Sequence, residues 1–177
     1  MRTCALDIET TGTEGDIRIV TVIALVDLDE RKSETFVAER PEAEDEVLEV
    51  FAEAIKGFDR IVVWKNFDIP FLKARYLFKG MKCPFNKYIE IVDVSKVLEE
   101  LPISQRRLKD IASLFGIERK DWMNGRDMPR LYDEHLKGNP KALDTITKHC
   151  EEDVRTLVEI YKKLVNVGII EDEKLLR

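Results

Sequence analysis

The sequence predicts an α/β fold on a mixed five-stranded sheet, three antiparallel strands and then two parallel ones, flanked by helices. Three observations carry this. The first forty residues hold three β-rich stretches joined by short connections. Two later apolar stretches are short and continuous and lead into helical patterns, the form of strands buried on both faces in parallel pairing. Beyond them, apolar residues recur at helical spacing.

Residues 3–8 read as a buried strand. Residues 17–26, IRIVTVIALV, are rich in β-branched side chains, which suit a pleated surface, and form the second strand. The acid-rich DERK that follows is the hairpin turn, and SETFVA (33–38) alternates as the third strand. From Pro41 to Gly57, the residues Val47, Val50, Phe51, Ala54 and Ile55 share a helical face, and Gly57 closes the helix. RIVVW (60–64) is the fourth strand, and a helix runs from Pro70 to Phe78. YIEIVD (88–93) is the fifth strand, with Asp93 placed to cap the next helix. RRLKDIASLFGI (106–117) is helical to Gly116, 118–126 is a polar loop, and 128–137 is a short helix. The longest helical stripe, 141–165, sets Leu143, Ile146, Val154, Leu157, Ile160, Tyr161 and Leu164 on one side. The tail, 169–177, is expected to add a turn. No repeat or linker intervenes, so one domain over 1–177 is expected.

Composition narrows the function classes. No apolar run approaches the roughly 20 residues of a membrane helix. The chain starts directly on a strand, without a signal-peptide pattern. Cys4, Cys83 and Cys150 are odd in number and widely spaced, which gives neither a zinc spacing nor a disulfide framework and points to a reducing cytoplasm. The net charge of −6 argues against a protein that coats nucleic acid. Yet residues 60–130 hold 15 Lys and Arg against 9 Asp and Glu, enough for a positive face toward a phosphate backbone.

The opening TCALDIETTG places two acids at a strand end. Residues i and i+2 of a strand point to one face, so Asp7 and Glu9 project together. Two like charges that close repel unless a cation sits between them, and an all-oxygen site suits Mg²⁺ or Mn²⁺. Thr10, Thr11 and Gly12 then let the backbone turn next to a ligand. Two acids facing water are the plainer alternative. A second pointer is Asn66-Phe67-Asp68, where the fourth strand runs out; Asp68 is explained equally by helix capping. The third is His149 and Asp153, four apart and so on one helical face. Asp153 lies at the edge of the apolar stripe, where an uncompensated acid is costly and a metal would remove the cost.

Together, Asp-x-Glu-x-Thr-Gly, Asn-Phe-Asp and His-x3-Asp, in that order, resemble the DEDD (DnaQ-like) superfamily of 3′–5′ exonucleases, whose fold is ribonuclease-H-like. The resemblance covers residues 3 to about 165. RRLKDIASLFGIERKDW and MPRLYDEHLKGNPKALDTITKHCEEDV look most like its predicted ribonuclease-H-like exonuclease branch. The resemblance implies four metal ligands, Asp7, Glu9, Asp68 and Asp153, and two Mg²⁺ or Mn²⁺ ions. Asp7, Glu9 and Asp153 would hold the first; Asp7 would bridge to the second, with Asp68 helping. It implies His149 as general base and nucleoside 5′-monophosphates as products of DNA or RNA hydrolysis. The substrate side would involve Thr10, Thr11, Asn66 and Phe67; Trp64 and Phe67 are candidates to meet the terminal base, with packing within the fold the favoured alternative for both. The expected partners are single-stranded nucleic acid or 3′ ends, with no membrane; the lack of a fused domain suggests a protein partner or short substrates.

The motif departs from its family in one place. The superfamily carries Tyr-x3-Asp or His-x4-Asp, whereas His149 stands at the tyrosine spacing and Lys148 where the other histidine would be. One residue along a helix rotates a side chain by about 100°. Two other classes compete. A haloacid-dehalogenase phosphatase also opens with an acid pair, but needs Asp in place of Glu9 and lacks the antiparallel strands. A catalytically silent ribonuclease-H-like module would bind nucleic acid or protein without cutting.

Overall fold

The computed structural model describes residues 1–121 and 123–172. Trp122, within the expected 118–126 loop, and most of the expected tail turn, 173–177, lie outside these residues. The strands are β1 (Thr3–Thr10), β2 (Val20–Asp27), β3 (Lys32–Val37), β4 (Arg60–Val63) and β5 (Glu90–Asp93). The helices are α1 (Glu44–Ala54), α2 (Asp68–Phe78), α3 (Val94–Glu99), α4 (Leu108–Leu114), α5 (Met128–Leu136) and α6 (Pro140–Asn166). The sheet order is β3-β2-β1-β4-β5, with β1–β2 and β2–β3 antiparallel and β1–β4 and β4–β5 parallel. This is the expected mixed sheet.

Strand alternation divides the core into two layers. Cys4, Leu6 and Ile8 of β1 pack with Ile61 and Val63 of β4 against α1 and α2. Ala5, Val22, Ala24 and Val62 face the other way, against α4, α5 and α6. Asp7 and Glu9 share the parity of Ala5, so β1 directs both toward α6. The strand order reverses between β1 and β4, because the chain leaves β1 on one side and returns on the other. Crevices at such reversals, outside the strands' carboxyl ends, are where open α/β sheets bind ligands.

Several boundaries differ from the sequence reading: β1 runs on to Thr10, α1 covers only Glu44–Ala54 and α4 only Leu108–Leu114, and three further shifts have a local reason in turn hydrogen bonds. β2 starts at Val20 rather than 17, because the Ile17 and Arg18 amides close a turn on the Glu14 carbonyl at 3.2 and 2.9 Å. The β-branched Ile17 is consequently exposed. β5 starts at Glu90, not 88, because the Tyr88 amide bonds the Asn86 side chain at 2.8 Å in a turn. α2 starts two residues early, at Asp68: its first turn closes with Phe71 N–H on the Phe67 carbonyl at 3.0 Å. Pro70 fits there, since first-turn amides have no helical acceptor.

Candidate active site

Asp7 and Glu9 lie at the carboxyl end of β1, past the last residue paired to β4, Ala5. The β1–β2 register shifts between Glu9 and Thr10, a bulge that lets the chain leave the sheet beside the acids. The 11–19 loop that follows is braced from within and from α2. Thr10 Oγ1 donates to the Gly12 carbonyl at 2.6 Å, and Thr11 Oγ1 accepts from the Ile19 amide at 3.1 Å. Arg75 of α2 donates to the Gly15 carbonyl at 2.9 Å while paired with buried Glu44. A Cβ on Gly15 would stand 2.8 Å from the Ala74 methyl, so only glycine allows this approach.

Asp68 is buried in the first turn of α2, one residue past the cap position held by Phe67, and its Oδ2 has no hydrogen-bond partner. Asp68 therefore supplies no cap bond through Oδ2, although its charge still stands in the first turn, where the helix dipole favours it. Asp93 does cap, as the sequence suggested: it accepts from the Lys96 amide at 3.3 Å. It also accepts from the Lys65 and Asn66 amides at 3.1 and 2.9 Å. That fixes the turn carrying Asn66 and Phe67, in which Lys65 takes a left-handed φ of 59°. Asn66 is exposed, and the partly exposed Phe67 ring leans on Phe71 with centroids 5.4 Å apart. Trp64 packs against the core on the α6 side.

From α6, His149 and Asp153 come to the same place. Cys150 between them packs under β1, its thiol 3.4 Å from the Asp7 carbonyl. His149 Nε2 lies 3.6 Å from Glu9 Oε1 and 3.8 Å from Asp153 Oδ2. The tyrosine-type spacing therefore does not turn the ring away: α6 crosses below β1 with its 149/153 edge toward the acids.

Crowding and burial dominate the electrostatics. The Asp7 carboxyl is pushed well above the usual carboxylate range, by burial first and by Asp153 next. Glu9 is raised by burial and then by Asp7, Asp153, Asp68 and Asp121. Asp68 is raised by burial and then by Asp7, Asp93 and Asp153. One oxygen of Asp7 and one of Asp68, both Oδ2, are buried without a hydrogen-bond partner. Unpartnered buried carboxylate oxygens among mutually repelling acids suit a hard divalent cation such as Mg²⁺ or Mn²⁺. Among the described residues, however, no three His, Cys, Asp or Glu side chains are already arranged as an ion cage.

Two residues that the sequence reading passed over explain part of this. Arg119, almost fully buried, ion-pairs with Asp153 Oδ1 and donates to Thr156 Oγ1 at 2.9 Å. Asp153 thus has its charge compensated by an arginine, where the apolar stripe led us to expect a metal ion. Asp121 pairs through Oδ2 with His149 Nδ1, and its Oδ1 accepts from the Met123 amide at 2.9 Å. Burial raises the Asp121 carboxyl, but the bonds from His149 and Met123 outweigh this and leave it lowered. Asp121 and His149 also line a cleft of about 730 Å³ along α6, whose walls include Lys120, Lys148 and Arg155. The cations of residues 60–130 are not all free to face a ligand: Arg60, Arg75 and Arg119 are buried in pairs with Glu90, Glu44 and Asp153.

Known proteins carry the same architecture. A family model described as RNase_H superfamily matches residues 4–165. An uncharacterized protein of Methanocaldococcus jannaschii is 31% identical over 183 residues, covering 97% of this chain and 100% of its own length. The structure of the family B DNA polymerase from the hyperthermophilic archaeon Pyrobaculum calidifontis superimposes with a TM-score of 0.81 at 21% identity. That match covers 96% of this chain, which spans a quarter of the polymerase's length. At such identity it speaks for the fold, which is ribonuclease-H-like, as the sequence led us to expect.

Proposed function

The chain belongs to the RNase_H superfamily, and from that premise we propose that it is a metal-dependent 3′–5′ exonuclease of the DEDD type. Membership supports a nuclease in general terms. The finer reading rests on one observation: Asp7, Glu9, Asp68 and Asp153, from three distant segments, come together at the carboxyl end of β1, with two buried oxygens unpartnered. The substrate is single-stranded DNA or RNA, or a 3′ end, and the product a nucleoside 5′-monophosphate. The proposed setting is the cytoplasm, on the odd number and wide spacing of Cys4, Cys83 and Cys150.

Bound Mg²⁺ or Mn²⁺ would supply Lewis-acid charge on the phosphate and acidify a water. Asp7, Glu9, Asp68 and Asp153 are the residues to hold it. We assign His149 the role of general base, a reading supported by its Nε2 lying 3.6 Å from Glu9 Oε1 and 3.8 Å from Asp153 Oδ2. Phe67, exposed at the lip, offers a ring for a terminal base to stack on, and Asn66 beside it offers an amide. Thr10 and Thr11 follow the acids on β1, and their hydroxyls hold the 11–19 loop beside the site.

The test is to incubate the protein with 5′-labelled single-stranded DNA and RNA, with Mg²⁺ or Mn²⁺. A ladder shortening from the 3′ end is expected, with a closed circular substrate left intact. Equal cutting of circular and linear strands would refute exonuclease action. One observation favours the silent module instead: Arg119 already neutralises Asp153. Calorimetric titration with Mn²⁺ separates the two readings, since a silent module should show no tight site that depends on Asp7.

A further inference from the structure

We propose that Asp121 is the positioning residue for His149, holding its ring in the tautomer and orientation that aim a bare Nε2 at the acidic cluster. This rests on the reading of His149 as general base. The geometry has three parts. First, Asp121 Oδ2 engages His149 Nδ1, so in the neutral ring the proton resides on Nδ1 and the lone pair on Nε2. Second, Nε2 then faces Glu9 Oε1 at 3.6 Å and Asp153 Oδ2 at 3.8 Å. Both distances exceed a hydrogen bond, so neither carboxylate takes Nε2 for itself and it stays free to accept a proton. Third, Asp121 is itself fixed. Met123 N–H holds its other oxygen at 2.9 Å.

The segment that delivers Asp121 is bound to α6 at several points. Arg119 grips Asp153 and Thr156, the Lys120 amide donates to Glu152 at 2.8 Å, and Arg155 donates to the Glu118 carbonyl at 3.0 Å. Residues 118–121 therefore form a splint along α6. A carboxylate arriving from this side controls the ring orientation that helix spacing alone leaves open, and so lets a histidine at this spacing serve the site. A carboxylate behind a working imidazole fixes its tautomer in other enzymes in the same way.

The chain has two histidines, His135 and His149, so imidazole ¹⁵N spectra hold two rings, and His149→Ala assigns them. In the wild type, at a pH where both rings are neutral, His149 should show a protonated Nδ1 and a bare Nε2. Asp121→Asn, of nearly the same shape, and Asp121→Ala should both lose that preference. Hydrolysis should fall about 10–100-fold in kcat, the usual size for orienting partners, with KM and Mn²⁺ affinity within twofold. A melting curve checks that both variants fold. If the wild type cuts and both variants keep its tautomer and its rate, the proposal is wrong while the nuclease reading stands. If the wild type does not hydrolyse nucleic acid under any metal, the reading fails and takes the proposal with it, whatever the tautomer.

Discussion

Asp7, Glu9 and Asp68 stand on backbone fixed by the sheet and the β4–α2 turn, and Asp7 and Asp68 each keep a buried oxygen without a partner. His149 and Asp153, on α6, are each held by a residue of the splint that ends at Asp121. One side of the cluster is electrostatically strained and the other is satisfied internally. The comparison separates two requirements of a charged site. The strained side is where an added cation gains most, because burial and mutual repulsion raise all three carboxyls. The satisfied side is where geometry is held ready.

The largest effect should come from the strained side. Asp7→Ala is expected to reduce nuclease activity to background, since Asp7 is the central acid whose charge both Glu9 and Asp68 feel. The same change should leave the metal-free protein as stable as the wild type, or more so, because it deletes a buried repelling charge. Cleavage assays and melting curves in chelator check both halves. A variant that keeps full Mg²⁺-dependent cleavage would break the assignment.

His149→Ala comes next. A lost general base lowers hydrolysis by about 10²–10⁴-fold. Mn²⁺ affinity should barely change, because the four carboxylates remain. A variant within a few-fold of wild type would show that placing the ring near Glu9 is not enough.

The two sides also differed in how far the sequence revealed them. Asp7 and Glu9 were legible because strand alternation is local: two acids at i and i+2 must share a face whatever the rest of the chain does. Asp68 was legible in place but not in role, since a strand end and a helix start coincide there; its orphaned Oδ2 is what favours a ligand. His149 was located, but the rotation argument could not foretell that α6 crosses under β1 with Cys150 against the Asp7 carbonyl. Arg119 and Asp121 were invisible. They sit in a charged loop that looks like any solvated run, and their partners lie 34 and 28 residues away. Such pairings depend on how α4 and α6 pack, which no local pattern encodes. The five strands and most helices were readable because alternation and helical stripes mark them directly. Among the boundaries that moved, those at Val20, Asp68 and Glu90 did so through turn hydrogen bonds.

A smaller effect concerns stability and pH. A carboxyl whose folded value lies above its unfolded one destabilises the native state when ionised. The metal-free protein should therefore be most stable toward the unfolded carboxyl values, about 4, and lose stability as pH rises through the raised values of Asp7, Glu9 and Asp68. Saturating Mn²⁺ should reverse that loss. At a concentration 100 times its dissociation constant, a ligand binding only the folded state adds about 2.7 kcal/mol. Melting temperatures across pH, in chelator and in Mn²⁺, give the test. A chelated protein that grows more stable as pH climbs from 5 to 8 would contradict the strained-side description.

Arg119→Met isolates the satisfied side, and the expected effect is the smallest. Methionine keeps much of the apolar stem but removes the cation that pairs with Asp153. Without metal, Asp153 then joins the repelling set, so the variant should melt below the wild type. With metal, the freed Asp153 Oδ1 is available and the competing positive charge is gone. Mn²⁺ affinity should therefore rise, on the order of tenfold, or about 1.4 kcal/mol. The two shifts have opposite signs, which a merely damaged fold would not produce: lost packing lowers stability and affinity together. Calorimetric titration and chelated melting curves on one preparation measure both. If affinity falls along with stability, Arg119 serves chiefly to hold the splint that ends at Asp121, and the two sides of the site are one mechanical unit rather than two.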